Sequence, residues 1–282
     1  MAEPATAMAR RSRAAATYDF LIGPWRLIAR YHEILWSTTV VELRGLYAGS
    51  MMGLLWLVLG PLMLLSLYTI IYAVVFKFRP SGMEQSEYVL YIFCGLVPFL
   101  GFATALISGS TSVAMNKQVL FNTVFPPELI PLRSVVVSGV SILAGLGLVV
   151  LGDIVFSTLT WTVLLVPVVL LLQSMFVTGL VWVLSLLNLV VRDIQQLLSY
   201  VTIMLMIMSP IAYTVDMMPA SLKILVYANP LSYYLISYQT LILMNDIPPV
   251  SFMIAIVTLS FVSFGGGYWM FRKAKEVFFD YA

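Results

Sequence analysis

Apolar residues run in long blocks separated by short polar or proline-rich breaks. The blocks fall at about 51–76, 88–111, 134–156, 161–189, 196–215 and 250–271. Each is near or above the ~20 residues a helix needs to cross the hydrocarbon core. The pattern predicts an all-α integral membrane protein with six transmembrane helices. Ser157-Thr158-Leu159-Thr160 alone separates the third block from the fourth, so those two form a helical hairpin.

Residues 25–48 have a different rhythm. At about 100° per residue, Leu27, Ile28, Tyr31, Ile34, Leu35, Thr38 and Val41 share one side. Arg26, Arg30, Glu33, Ser37 and Arg44 share the other. This predicts a helix lying in the membrane interface, with Trp25 and Trp36 at headgroup depth. Glu42 falls on the apolar side and weakens the pattern. Between the fifth and sixth blocks, Met217-Met218-Pro219, Asn229-Pro230-Leu231 and Ile247-Pro248-Pro249 bound two apolar pieces too short to span. They predict re-entrant outer helices, against the plainer alternative of an amphipathic outer loop. The resulting division is a flexible cytosolic tail over 1–24, a transmembrane domain over 25–272 and a second cytosolic tail over 273–282.

Composition agrees: 61% of residues are hydrophobic and 10% charged, against roughly 45–50% and 25% in soluble domains. A net charge of +2 gives no reason to expect a nucleic-acid partner. With the N-terminus inside, the inner segments hold Arg10, Arg11, Arg13, Arg26, Arg30, Arg44, Lys117, Arg133, Arg192, Arg272, Lys273 and Lys275. The outer segments hold Lys77, Arg79 and Lys223. That asymmetry places both termini in the cytosol.

Candidate chemistry is sparse. One cysteine, Cys94, and one histidine, His32, make neither an intrachain disulfide nor a metal cluster. Cys94 reads as a small packed hydrophobe. No Gly-Lys pair occurs, so there is no P-loop and no nucleotide cofactor is expected on this chain. Asp153 is expected at headgroup level. No series of membrane-depth carboxylates suggests an ion-coupled carrier, and no convergent catalytic group suggests a transferase. Gly45, Gly49 and Gly53 suit either a close helix contact or a flexible elbow. Ser174, Thr178, Ser185 and Asn188 share a face of the fourth block, suited to helix packing or to a wet path. Tyr68 and Tyr72, one turn apart, and Tyr200, with Met204 one turn further on, are candidate rungs of a glycan-stacking channel. Belt or core packing is the plainer role for each ring.

Three blocks in this order resemble the ABC-2 type permeases that export lipid-linked polysaccharide such as O-antigen, capsule or teichoic acid. The first runs from Glu42-Leu43-Arg44-Gly45 through Gly53-Leu54-Leu55-Trp56 to Gly60-Pro61. The second is Phe125-Pro126-Pro127-Glu128-Leu129-Ile130-Pro131. The third runs from Arg192-Asp193-Ile194 through Ser209-Pro210-Ile211-Ala212-Tyr213 to Asn229-Pro230-Leu231. The resemblance implies a homodimer in the bacterial inner membrane, bound to two copies of an ABC ATPase subunit that carries ATP and Mg. It implies ATPase coupling through the 25–48 helix (Arg26, Arg30, Glu33, Arg44) and the 112–131 loop (Asn116, Lys117, Pro127, Glu128). It implies a channel along the first and fifth spans and an outer gate at Pro219, Asn229 and Pro230. A permease for a drug or small lipid, or less readily an ion-coupled secondary carrier, is the alternative.

Overall fold

The structure is a computed structural model that describes residues 3–71, 83–116, 126–156 and 160–280. Every regular element among them is helical. In order they are α1 (Glu3–Leu46), a 3-10 turn (Gly53–Leu55), α2 (Trp56–Thr69), α3 (Gln85–Met115) and α4 (Leu129–Phe156). A 3-10 turn (Trp161–Leu165) then leads into α5 (Val166–Val190). After it come α6 (Ile194–Met208), the short α7 (Lys223–Ala228), α8 (Pro230–Ile242) and α9 (Val250–Asp280).

Among the described residues, four stretches are long and apolar enough to cross a membrane: Gln85–Met115, Leu129–Val155, Trp161–Val190 and Val250–Lys275. The first and fifth expected spans are shorter. In the first, α2 ends at Thr69, and 72–76 lie outside the described residues. In the fifth, α6 has 15 residues, about 22 Å at 1.5 Å each. The cause is Pro210, which lacks an amide donor and disfavours a helical Ser209; Ser209 is extended at φ −82°, ψ 141°.

α3 is the hub. It is apolar all round, and Tyr88, Leu90 and Tyr91 through Phe99 are buried, as such a helix requires. Its first turn is fixed by a reciprocal cap in which the Glu84 amide donates to the Glu87 carboxylate at 3.0 Å. Cys94 is fully buried in this helix as a free thiol. Among the described residues, α5 and α9 form the closest helix pair. A Cβ on Gly267 would lie 2.6 Å from the Gly179 Cα, so only glycine permits the approach. The Ser263 and Ser260 hydroxyls donate across it to the Phe176 and Leu172 carbonyls at 2.7 and 2.8 Å.

The N-terminal helix departs from the expected pattern. Helical backbone begins at Glu3 and so includes most of the stretch expected as a tail. The helix is broken at Tyr31 (φ −117°, ψ 21°). The break shifts the phase of the inward face. Leu27, Ile28, Tyr31 and Leu35 pack on Leu129, Leu132 and Val136, and Thr39 and Leu43 continue the buried side. Ile34 and Val41, expected on that side, are 41% and 70% exposed.

Asp153, expected at headgroup level, is fully buried within the protein near the end of α4, and among the described residues neither carboxylate oxygen has a hydrogen-bond partner. Gly49 and Gly53 have φ of +79° and +52°, the left-handed region that glycine tolerates. A Cβ on Gly45, Gly49 or Gly53 would meet nothing within 4 Å. Within this chain Gly49 and Gly53 therefore form an elbow between α1 and α2, and Gly45 lies in the last turn of α1.

Candidate functional site

The expected site residues divide between the two ends of the bundle. At the end that carries Arg133, Arg272, Lys273 and Lys275, α1 lies against α4. Its outer side presents Arg26, Arg30, Glu33 and Arg44, all exposed, and the Arg30 guanidinium sits over the Tyr31 ring at 5.4 Å. Glu42, the residue that spoiled the apolar pattern, forms an ion pair with Arg133 of α4. Both side chains are half-buried, and the pairing lets an acid sit on an inward side.

The connection between α3 and α4 is described at its two ends. Asn116 closes α3, with its Nδ2 donating to the Ser112 carbonyl at 2.8 Å. Lys117 lies outside the described residues. Pro127 and Glu128 are buried rather than displayed. Two successive prolines restrict the turn, and the Leu129 and Ile130 amides donate back to the Pro126 and Pro127 carbonyls, both at 3.1 Å. The Glu128 carboxylate accepts from Lys275 Nζ of α9 at 3.2 Å, and its carbonyl accepts from Trp182 Nε1 of α5 at 2.8 Å. Neither Trp182 nor Lys275 was legible as a partner of this turn, because both contacts join residues far apart in sequence.

At the opposite end, Asn229 and Pro230 build a helix start. Asn229 Oδ1 accepts the Leu231 amide at 3.0 Å and its Nδ2 donates to Ser209 Oγ at 2.8 Å. Pro230 occupies the first turn of α8, where its missing donor costs nothing. Pro219 lies apart on an exposed turn. The two short apolar pieces exist as α7 and α8, and nearly every residue of α8 is buried in the bundle.

A buried polar network surrounds α8. Gln239 Nε2 donates to the Pro210 carbonyl at 2.9 Å and the Tyr91 carbonyl at 3.5 Å. The Tyr88 hydroxyl donates to the Ala212 carbonyl at 2.8 Å. Gln173 donates to the Pro98 carbonyl at 3.0 Å and accepts from the Tyr238 hydroxyl at 2.9 Å. Non-helical backbone beyond Pro210 is thus satisfied by side chains, as burial demands. The polar stripe of the fourth span does not supply these contacts. Thr178 donates to the Ser174 carbonyl and Ser185 to the Trp182 carbonyl of their own helix.

The candidate channel residues are brought together only in part. Tyr200 and Met204, each 61% exposed, lie one turn apart on an unpacked side of α6 with Leu197 and Ile207. Tyr68 turns inward, its hydroxyl 3.5 Å from Met206 Sδ. Tyr72 lies outside the described residues. α2 has no buried residue at all. A cavity of about 500 Å³ opens between α2, α3 and α4, lined by residues that include Tyr47, Trp56, Thr104, Ser138 and Ser141. Among the described residues no three His, Cys, Asp or Glu side chains converge on a metal position.

Comparison with known proteins places this architecture. The chain is 26% identical over 256 residues to the O-antigen export system permease protein RfbA of Myxococcus xanthus, covering 90% of this chain and 96% of that protein. It is 26% identical over 249 residues to an RfbA of the same description from Klebsiella pneumoniae, covering 87% and 93%. A second Klebsiella pneumoniae RfbA is 29% identical over 212 residues, covering 74% and 80%. Residues 34–243, well over half of the chain, match the ABC-2 type transporter family. This multi-pass helical chain therefore belongs to the ABC-2 type transporter family.

Proposed function

We propose that this chain is the non-catalytic transmembrane subunit of an ATP-driven exporter that moves a lipid-linked polysaccharide, such as O-antigen or capsule, across the bacterial inner membrane. The observation that carries the reading is the near full-length match to permeases named for O-antigen export. In this reading α2 and α6 complete six spans together with the four long helices, and both termini face the cytosol. ATP and Mg belong to two copies of a separate ATPase subunit.

The geometry supplies matching surfaces. α2 and α6 carry apolar sides that no described residue covers, which suits a homodimer whose axis they border. Tyr200 and Met204 then face the shared path. Stacking on such rings is tolerant of sugar identity, and each contact is worth about 1 kcal/mol, so a polymer can slide. The exposed Arg26, Arg30, Glu33 and Arg44 form the surface for the ATPase. α7 and α8 act as re-entrant elements at the outer gate.

The test is reconstitution of the chain with its ATPase in proteoliposomes, tracking a labelled lipid-linked glycan. Export is expected to require both subunits and ATP. Transport by the purified chain alone under an ion gradient would overturn the reading.

A further inference from the structure

In the exporter reading, on which this proposal rests, the segment ahead of α4 receives movement from the ATPase. Where the movement goes depends on what the turn is fastened to. Pro126–Glu128 leads into α4, yet its two strongest side-chain contacts reach other helices. Trp182 of α5 holds the Glu128 carbonyl at 2.8 Å, and Lys275 of α9 holds the Glu128 carboxylate at 3.2 Å. Trp182 is itself fully buried. It stacks on Phe264 at 5.3 Å and meets Tyr268 at 5.4 Å, both on α9.

The pair is not built as a simple fastener. Glu128 is 6% exposed, Lys275 reaches it from the rim, and Glu128 Oε2 has no partner among the described residues. Apolar residues of similar volume usually hold such a place as well as a buried ion pair or better. The best-attested use of such a pair where it is retained is to fix register or a switch, not to add strength. We infer that Lys275 is a positioning residue for coupling: through Glu128 it ties the turn to the end of α9, so that displacement of the turn moves the α5–α9 pair together with α4.

The experiment uses the full chain co-purified with its ATPase and reads export per ATP hydrolysed. Lys275→Met is expected to lower that ratio roughly fivefold or more, the scale of an ordinary coupling between sites. Lys275→Arg and the exchanged pair Glu128→Lys with Lys275→Glu are expected to recover it to within about twofold of the native value. Since a lone buried carboxylate can unfold the turn, Glu128→Gln with Lys275→Met removes both charges. This double variant is expected to keep its thermal stability and still couple poorly. A native ratio in either Lys275→Met or the neutral double variant, at equal folded protein, overturns the inference. Amide exchange at Glu128, Leu129 and Ile130 in the chain without its partner gives a second readout that is independent of export. It is expected to quicken in Lys275→Met, and unchanged exchange also overturns the inference. Loss of ATP-dependent export in the native complex would instead count against the exporter reading, leaving amide exchange to judge the tie.

Discussion

Replacing Gly267 with Ala adds one methyl group where α5 and α9 meet backbone to backbone. The new Cβ would lie 2.6 Å from Cα and 2.7 Å from the carbonyl carbon of Gly179, where carbon atoms rest at about 3.5 Å or more. Both obstacles are backbone, so no rotamer change relieves them, and α5 and α9 must separate by about 1 Å. Overpacking of this kind costs about 1–3 kcal/mol. The separation also stretches the Ser260 and Ser263 bonds across the pair, at about 0.6 kcal/mol each by membrane-protein measurements. Ala gains about 1 kcal/mol over Gly in helix propensity, leaving a net loss of about 1–3 kcal/mol. Thermal unfolding in detergent, monitored by size-exclusion chromatography, is expected to show a midpoint several degrees lower. Gly147→Ala is the control, since a Cβ there meets nothing within 4 Å, and its midpoint is expected to stay level or rise. A Gly267→Ala midpoint equal to or above that of Gly147→Ala would refute the close-contact argument.

The interfacial helix gives a paired prediction. Leu35→Asp places a carboxylate at a position 7% exposed, so about 2 kcal/mol or more of α1 docking is lost and export falls with insertion intact. Ile34→Asp, at 41% exposure, is expected to leave α1 docked; limited proteolysis of α1 separates the two. Asp153→Asn is expected to raise the unfolding midpoint, because an ionisable group with no partner at either oxygen carries a desolvation penalty of about 1–3 kcal/mol; a lowered midpoint would mean that the carboxylate has a partner in the assembly. Tyr200→Ala is expected to slow glycan export while leaving the unfolding midpoint unchanged, since the ring is 61% exposed; a fall of many degrees with normal transport per folded protein would assign the ring to packing.

The long apolar helices were legible because length and composition alone decide whether a segment crosses a bilayer. The shortness of α6 was also written in the sequence, as Ser209-Pro210 inside the fifth apolar block, but hydropathy outweighed the helix breaker. The side that α1 buries was legible only up to Tyr31. A backbone break there rotates the rest of α1 about its axis, and no periodic pattern records it. Glu42 was the one local signal of a hidden partner: an acid on an inward side needs a cation, and Arg133 supplies it. Glu128 gave no such warning. The family resemblance implied a coupling role for it in the 112–131 loop, whereas its carboxylate meets a lysine 147 positions later. Gln173 was missed for a similar reason, since hydroxyl-bearing neighbours on its helix drew attention and then bonded to their own backbone.

The burial of α8 has a consequence for how the chain is made. Synthesis runs from the N-terminus, so α3, with Tyr91 and Pro98, enters the membrane long before residues 238 and 239 exist. Until then the Tyr91 and Pro210 carbonyls lack Gln239, and Gln173 lacks the hydroxyl of Tyr238. An emerging chain that ends before Ile242 therefore has a bundle with its centre unfilled and its polar groups unmatched. The helices can be threaded one by one, but the bundle can close only after α8 leaves the ribosome.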